Sequence, residues 1–282
     1  MTPLKLMGTA MVVAGMLHLG AEGARAQQQI PSAPVAPTFK SSVELVRISA
    51  TVRDKKGRFV RDMTVRDFEV VDGGVARTIS EFRHDDSAVS VALLFDVSGS
   101  MEARMGQARE TAEHLLSWLN LQGDEAAVYT FDTRLDEVAP FTSGLRRLPP
   151  SMQALSPFGA TSLHDAVATT ARKIAEREGL RRAVVVLTDG RDNASRLTPG
   201  EVSGIASSID VPVYVVGIVP AIDNPSADIS TTTYERSALT GSLSDLALWT
   251  GGRAFVASTI AERSQTARQI VDELRQQYLI AF

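Results

Sequence analysis

Two runs of apolar residues constrain the fold of this chain more than any other feature of its sequence. Residues 89–95 and 183–187 are almost continuously apolar, with no regular alternation of polar and apolar side chains. A strand of this composition is typical of parallel sheets, whose strands are buried on both faces. The two runs therefore predict a sheet that is covered by helices on both sides.

The segments around these two runs alternate between helical and extended patterns. Helices are predicted at residues 101–119, 163–175, 198–209, 243–250 and 259–277, and further strands at 126–131, 135–141, 211–219, 253–257 and 278–282. Such alternation predicts the α/β class, with a doubly wound, mostly parallel, Rossmann-like sheet flanked by helices. In sheets of this kind the functional site lies at the carboxyl ends of the strands.

Residues 43–86 precede this α/β domain and have a different pattern. Residues 43–54 alternate between polar and apolar side chains, and Asp72-Gly73-Gly74 is a hairpin signal between two short apolar segments. A unit of about 40 residues is marginal as an independent domain. We therefore expect a small β-sandwich-like unit that packs on the α/β domain, which is predicted to span residues 87–282.

The first 26 residues have the three-part pattern of a secretory signal. Lys5 precedes a mostly apolar run at residues 6–19, and Ala24 and Ala26 mark a cleavage position. The run is shorter than the roughly 20 residues that span a bilayer; an uncleaved anchor and a buried helix are the alternatives. We expect a linker at residues 27–42, no transmembrane segment after cleavage, and export to the periplasm, the cell surface or the medium.

Charge and composition exclude several classes of function. The net charge of −4 argues against nucleic acid as the main partner, because proteins that bind nucleic acids usually carry a basic surplus. Cysteine is absent, which excludes disulfides, thiolate metal sites and cysteine nucleophiles. The glycine-rich motifs that bind nucleotide phosphates are also absent from the sequence.

Three loops at the ends of predicted strands together contain two carboxylates and three hydroxyl groups. The residues that carry them are Asp96, Ser98, Ser100, Thr161 and Asp189. Because the carboxyl ends of parallel strands meet at one edge of the sheet, we expect the three loops to lie close together. A donor set made only of oxygen atoms suits a hard cation such as Mg²⁺ or Mn²⁺.

These residues resemble a known site. The sequence Asp96-x-Ser98-x-Ser100, Thr161 in a Gly-x-Thr loop, and Asp189 in Thr-Asp-Gly are similar to the metal-ion-dependent adhesion site of von Willebrand factor type A domains. The resemblance extends in order and spacing from about residue 87 to residue 282. Together with the preceding β unit, the chain resembles exported bacterial proteins called VWFA-related, which are common in Acidobacteria.

The resemblance implies a role for each residue of the site. Ser98 and Ser100 would bind Mg²⁺ or Mn²⁺ directly. Thr161 would bind directly in a high-affinity state and otherwise through water, while Asp96 and Asp189 would bind mostly through water. An ion held by neutral hydroxyls keeps much of its positive charge. We therefore expect an adhesion module, not an enzyme, that captures a protein partner through a Glu or Asp of that partner.

Other interpretations of the same residues stay open. Asp96 with Mg²⁺ could be the nucleophile of a hydrolase or phosphatase, or a bound metal could only stabilise the fold. Near the predicted site, Asp132 is a candidate for indirect support. Asp192 and Asn193 could rim the site, but we expect them in a solvated turn. His164 could touch a ligand, but we expect it to face solvent. Residues 220–240 are either a loop that shapes the partner surface or a disordered insert.

Overall fold

The computed structural model describes residues 45–55, 58–84, 88–120, 122–177, 181–208, 210–219 and 242–282. The predicted signal, the predicted linker and the loop at residues 220–240 therefore lie outside the described residues. Residues Glu44–Phe282 form one compact unit. No helix in the described part of the chain is long and apolar enough to cross a membrane.

The described residues contain eleven strands and five α-helices. The strands are β1 (Arg47–Thr51), β2 (Val70–Asp72), β3 (Val75–Arg77), β4 (Glu81–His84), β5 (Val89–Asp96), β6 (Glu125–Phe131), β7 (Leu135–Ser143), β8 (Arg181–Thr188), β9 (Val213–Ile218), β10 (Ala254–Ala257) and β11 (Gln277–Ala281). The helices are α1 (Met105–Trp118), α2 (Leu163–Ala175), α3 (Pro199–Ser208), α4 (Ser242–Trp249) and α5 (Ile260–Arg275).

Six of these strands form the central sheet, in the spatial order β10-β9-β8-β5-β6-β7. All neighbours are parallel except β6 and β7, which are antiparallel at one edge. The two apolar runs of the sequence are the adjacent strands β5 and β8, and β5 is buried along its whole length. This arrangement confirms the predicted α/β fold with a mostly parallel sheet.

Helices cover both faces of the sheet, because successive side chains of a strand point to opposite faces. On one face, Leu93 and Phe95 of β5 pack with α1 and α5. On the other face, Ala92 and Leu94 of the same strand pack with α2, α3 and α4. The sheet thus separates two apolar cores, which is the doubly wound arrangement that the sequence predicts.

Local signals in the sequence set the ends of several elements. The side chain of Thr259 accepts a hydrogen bond from the backbone of Glu262 and forms a capping box at the start of α5, which satisfies otherwise unpaired amides. Gly251 follows α4 with φ of 81°, a left-handed conformation that favours glycine at the end of a helix. Gly73 and Gly74 also have positive φ and form the predicted hairpin between β2 and β3.

The small β unit differs from the prediction because it contains β11, the last strand of the chain. The sequence predicts residues 278–282 as the last strand of the α/β domain, but β11 pairs antiparallel with both β1 and β4 in a separate three-stranded sheet. Tyr278 of β11 packs against Phe68 and Phe82, with ring centroids 5.5 Å away in each case. The N-terminal unit therefore takes its central strand and part of its core from the other end of the domain.

Candidate metal site

The first loop of the site begins where β5 ends. Asp96 is the last residue of that strand and is fully buried. Its Oδ1 accepts a hydrogen bond of 2.9 Å from the backbone amide of Ser98, an arrangement that fixes the turn after the strand. The hydroxyl oxygens of Ser98 and Ser100 lie 3.2 Å apart. The Asp-x-Ser-x-Ser spacing thus brings both hydroxyls to the same side of the turn.

The second loop is joined to the first by two backbone hydrogen bonds. The amide of Gly99 donates to the carbonyl of Gly159 over 3.1 Å, and the amide of Phe158 donates to the carbonyl of Val97 over 2.9 Å. Gly159 has φ of 89°, a conformation that side chains other than glycine rarely adopt. These contacts hold the loop that carries Thr161, which is itself buried, against the loop that carries Ser98.

The third loop is joined to the first through Thr188. The hydroxyl of Thr188 donates to Oδ2 of Asp96 over 2.6 Å and accepts a hydrogen bond of 3.0 Å from the amide of Gly190. Asp189 lies between these two residues and is 8% exposed. The structure therefore gathers the loops of all five predicted residues at one edge of the sheet, at the carboxyl ends of β5 and β8.

Asn193 joins the third loop to the second. Its side-chain Oδ1 accepts a hydrogen bond of 2.8 Å from the amide of Thr161. The amides of Asn193 and Ala194 both donate to the carbonyl of Thr161, each over 3.0 Å. Asn193 is exposed, as expected of a solvated turn, and its loop also fixes the backbone of a predicted ligand.

The prediction that His164 faces solvent is wrong. His164 is 8% exposed, and its Nδ1 lies 2.9 Å from Oδ2 of Asp192. The same carboxylate accepts hydrogen bonds from the amide of His164 and from the hydroxyl of Ser195. Burial lowers the pKa of His164, while the pKa of Asp192 is lowered against the effect of burial by its hydrogen bonds from Ser195 and His164. The first turn of α2 is thus locked to the third loop.

Asp132, the candidate for indirect support, contacts the site region through its backbone. Its carbonyl accepts a hydrogen bond of 2.7 Å from the amide of Ser162, next to Thr161. Its carboxylate accepts hydrogen bonds from Thr133 and the amide of Arg134, within its own loop. Asp132 therefore positions the start of α2, which follows the second loop.

The electrostatics of the site centre on Asp96. Burial raises the pKa of Asp96, and the nearby charge of Asp189 adds to the rise, while hydrogen bonds from Ser98 and Thr188 oppose it. Among the ion pairs of the described residues, none involves Asp96. A buried carboxylate without a cation is unfavourable in its charged form. A cation that binds at this edge of the sheet would relieve that cost.

The donor set fits a hard divalent cation. No cluster of three or more His, Cys, Asp or Glu side chains that could hold a metal ion occurs among the described residues, so an ion at this position needs hydroxyl oxygens as well as carboxylates. The hydroxyls of Ser98 and Ser100 and the carboxylate of Asp96 are provided by a single turn. Oxygen donors of these kinds are the ligands of Mg²⁺ and Mn²⁺.

Comparison with known proteins agrees with this fold. A family model described as the von Willebrand factor type A domain matches residues 91–191, a segment that includes all five predicted ligands. Residues 91–191 are therefore similar to a von Willebrand factor type A domain, the family whose adhesion site the predicted ligands resemble. A search of curated proteins gave no significant match.

Solved structures of three bacterial proteins share the fold at low sequence identity. An aerotolerance-related membrane protein from Bacteroides fragilis is 20% identical, with a TM-score of 0.52 over 66% of this chain and 98% of that one. BatB from Bacteroides thetaiotaomicron is 18% identical, with the same TM-score and the same coverage. A von Willebrand factor type A protein from Catenulispora acidiphila is 18% identical, with a TM-score of 0.50 over 67% of this chain and 43% of that one.

Proposed function

We propose that this protein is an exported adhesion module that binds Mg²⁺ or Mn²⁺ at the edge of the central sheet and captures a protein partner through an acidic residue of that partner. The observation that carries the proposal is the fully buried Asp96, whose carboxylate has two neutral hydrogen-bond donors and no ion pair among the described residues. A buried acid of this kind is stabilised when a cation binds beside it.

The residues of the three loops would have different roles in binding the ion. Ser98, Ser100 and Thr161 would offer hydroxyl oxygens to the ion, and Asp96 and Asp189 would bind it mostly through water. The metal, when bound, supplies a positive charge that the neutral hydroxyls leave largely uncompensated. That charge favours an anionic group from outside, which a Glu or Asp of a partner provides. Binding of the metal and of the partner is thereby coupled.

The first experiment measures the melting temperature with and without Mg²⁺ or Mn²⁺. We expect a rise of about 5 °C at an ion concentration 100 times the dissociation constant, because a ligand that binds only the folded state stabilises it. The rise should be absent in the Ser98→Ala/Asp189→Ala variant. Ser203→Ala is a matched control, since the Ser203 hydroxyl donates to the carbonyl of Pro199 in α3, away from the site. An equal rise in all three proteins would contradict the proposed site.

The second experiment tests for an acidic partner. The immobilised protein is incubated with cell-surface extract in Mg²⁺, in a chelator, and in Mg²⁺ after the carboxylates of the extract have been amidated. We expect capture only in Mg²⁺ with intact carboxylates, and no capture by the Ser98→Ala variant. Capture that survives amidation would overturn the proposed mode of binding, and steady hydrolysis of a phosphate ester that Asp96→Asn abolishes would replace it with a hydrolase.

A further inference from the structure

Arg104 is the principal cation at the candidate metal site. It lies between the first loop and α1, and its Nη1 donates to the carbonyl of Ser100 over 2.7 Å. The same nitrogen lies 3.3 Å from Oδ2 of Asp189. The side chain of Asp189 is 4% exposed and that of Arg104 is 23% exposed. An ion pair between groups this far from water is screened much less than one at the surface.

A second arginine near Asp189 does not have the same position. Nε of Arg191 lies 3.9 Å from Oδ2 of Asp189, and the Arg191 side chain is 73% exposed. A pair with such an exposed partner contributes little. Arg104 therefore provides most of the positive charge that balances Asp189, and its contact with Ser100 holds the guanidinium beside a predicted ligand.

We propose that Arg104 is a built-in counter-ion that competes with the divalent metal for Asp189 and so lowers the metal affinity of the site. The inference rests on the proposed function, because it assumes that this edge of the sheet binds a metal. The guanidinium and a divalent ion are both attracted to the Asp189 carboxylate and repel each other at short range. In the metal-free protein, Arg104 stabilises the loop that the ion otherwise organises.

The experiment compares Mn²⁺ binding by isothermal titration calorimetry in the wild type and in Arg104→Gln. We expect the variant to bind Mn²⁺ at least tenfold more tightly and, without metal, to melt at a lower temperature than the wild type. Arg104→Lys keeps the positive charge and should bind Mn²⁺ nearly as the wild type does. Arg109→Gln is the matched control, because Arg109 lies on α1 and donates to the carbonyl of Leu155. The Mn²⁺ affinity of this variant should equal that of the wild type.

A double variant tests whether Asp189 mediates the effect. In the Asp189→Asn background the Arg104→Gln substitution should change the Mn²⁺ affinity by less than about twofold, since the carboxylate for which Arg104 and the metal compete is absent. A tenfold gain that persists in this background would overturn the competition.

The remaining outcomes separate this inference from the proposed function. Equal or weaker Mn²⁺ binding by Arg104→Gln, with clear binding by the wild type, would overturn the role of Arg104 and leave the metal site intact. Absence of binding in both proteins at millimolar Mn²⁺ would overturn both. Binding by Arg104→Gln alone would support the inference in its strongest form, with Arg104 closing the site to the metal.

Discussion

At the amino ends of the central strands, each buried carboxylate is paired with an arginine, whereas at the carboxyl ends Asp96 has only neutral hydrogen-bond donors. Glu125, the first residue of β6, accepts two hydrogen bonds from Arg177, over 2.8 and 2.7 Å, and one from the hydroxyl of Ser90. Asp124 accepts a hydrogen bond of 2.7 Å from Arg275. Both acids are compensated within the fold.

The difference between the paired acids and Asp96 indicates a different role for each end of the sheet. Compensated acids such as Glu125 are part of the structural framework, since the buried carboxylate would have no cationic partner without Arg177, whose side chain is 41% exposed. Asp96 is buried more completely than Glu125, at 0% against 5% exposure, yet it has no such partner among the described residues. The acids at the amino end of the sheet are thus compensated by arginines, whereas Asp96 at the carboxyl end has no arginine partner among the described residues.

The largest expected effect is at the amino end of the sheet, where the buried acids are compensated. Glu125→Gln should destabilise the protein by about 2 kcal/mol, because the amide that replaces one carboxylate oxygen faces the donors of Arg177. Urea unfolding of the variant and the wild type measures the difference. A loss below about 0.5 kcal/mol would mean that the pair with Arg177 is worth little and that the two ends are alike.

Removing the third partner of the same carboxylate should cost less. Ser90→Ala deletes one hydrogen bond to Glu125 and leaves both bonds from Arg177 in place. We expect a loss of about 1 kcal/mol by urea unfolding, the usual net value of a buried hydrogen bond. A loss as large as that of Glu125→Gln would show that the arginine does not compensate the acid.

The same type of substitution at the other end should be nearly neutral without metal. Asp96→Asn keeps an acceptor for the amide of Ser98 and removes a buried charge, so we expect a change within about 0.5 kcal/mol in either direction. The variant should also lose the rise in melting temperature with Mg²⁺. Destabilisation by 2 kcal/mol or more in metal-free buffer would indicate that Asp96 is already compensated.

The smallest expected effect is a dependence on pH. Because the folded-state pKa of Asp96 is raised above 3.8, mainly by burial, ionisation of Asp96 costs the folded state free energy. The free energy of unfolding of the wild type, relative to that of Asp96→Asn, is therefore greatest below pH 3.8. This advantage is lost as the pH rises through the raised pKa of Asp96. Urea unfolding of both proteins at several values between about pH 4 and pH 7, without metal, measures this difference. If the wild type instead becomes more stable relative to the variant as the pH rises, the pKa of Asp96 is lowered by folding and the assigned direction is wrong.

Much of the fold could be predicted because its signals are local. The apolar run that became β5 and the helical periodicity of α2 each depend on a few neighbouring residues. The five candidate ligands could be found because strand ends in a parallel sheet meet at one edge, whatever the loops contain. Whether those residues bind a metal stays a prediction, since the structure contains their protein contacts alone.

Features that depend on distant contacts could not be predicted in the same way. The apolar pattern of residues 278–282 fits a strand of either sheet, and its pairing with β1 and β4 depends on residues far away in the chain. His164 is buried beside Asp192, whose carboxylate accepts a hydrogen bond from the His164 amide, and a position in a helical first turn does not reveal this contact. Arg104 reaches Asp189 only because the two loops lie side by side.

The pairing of β11 has a consequence for the order in which the protein can fold. Ser80, just before β4, hydrogen-bonds to Ala281, 201 residues later, and β1 meets the same strand. During synthesis, β1 and β4 therefore leave the ribosome long before their shared partner exists, with backbone groups that have nothing to pair with. The N-terminal unit is completed only when residues 277–281 arrive, so the earliest segment of the domain is among the last to reach its native pairing. A chain that stalls before those residues would leave β1 and β4 without their shared partner, and unpaired strand edges of this kind favour aggregation.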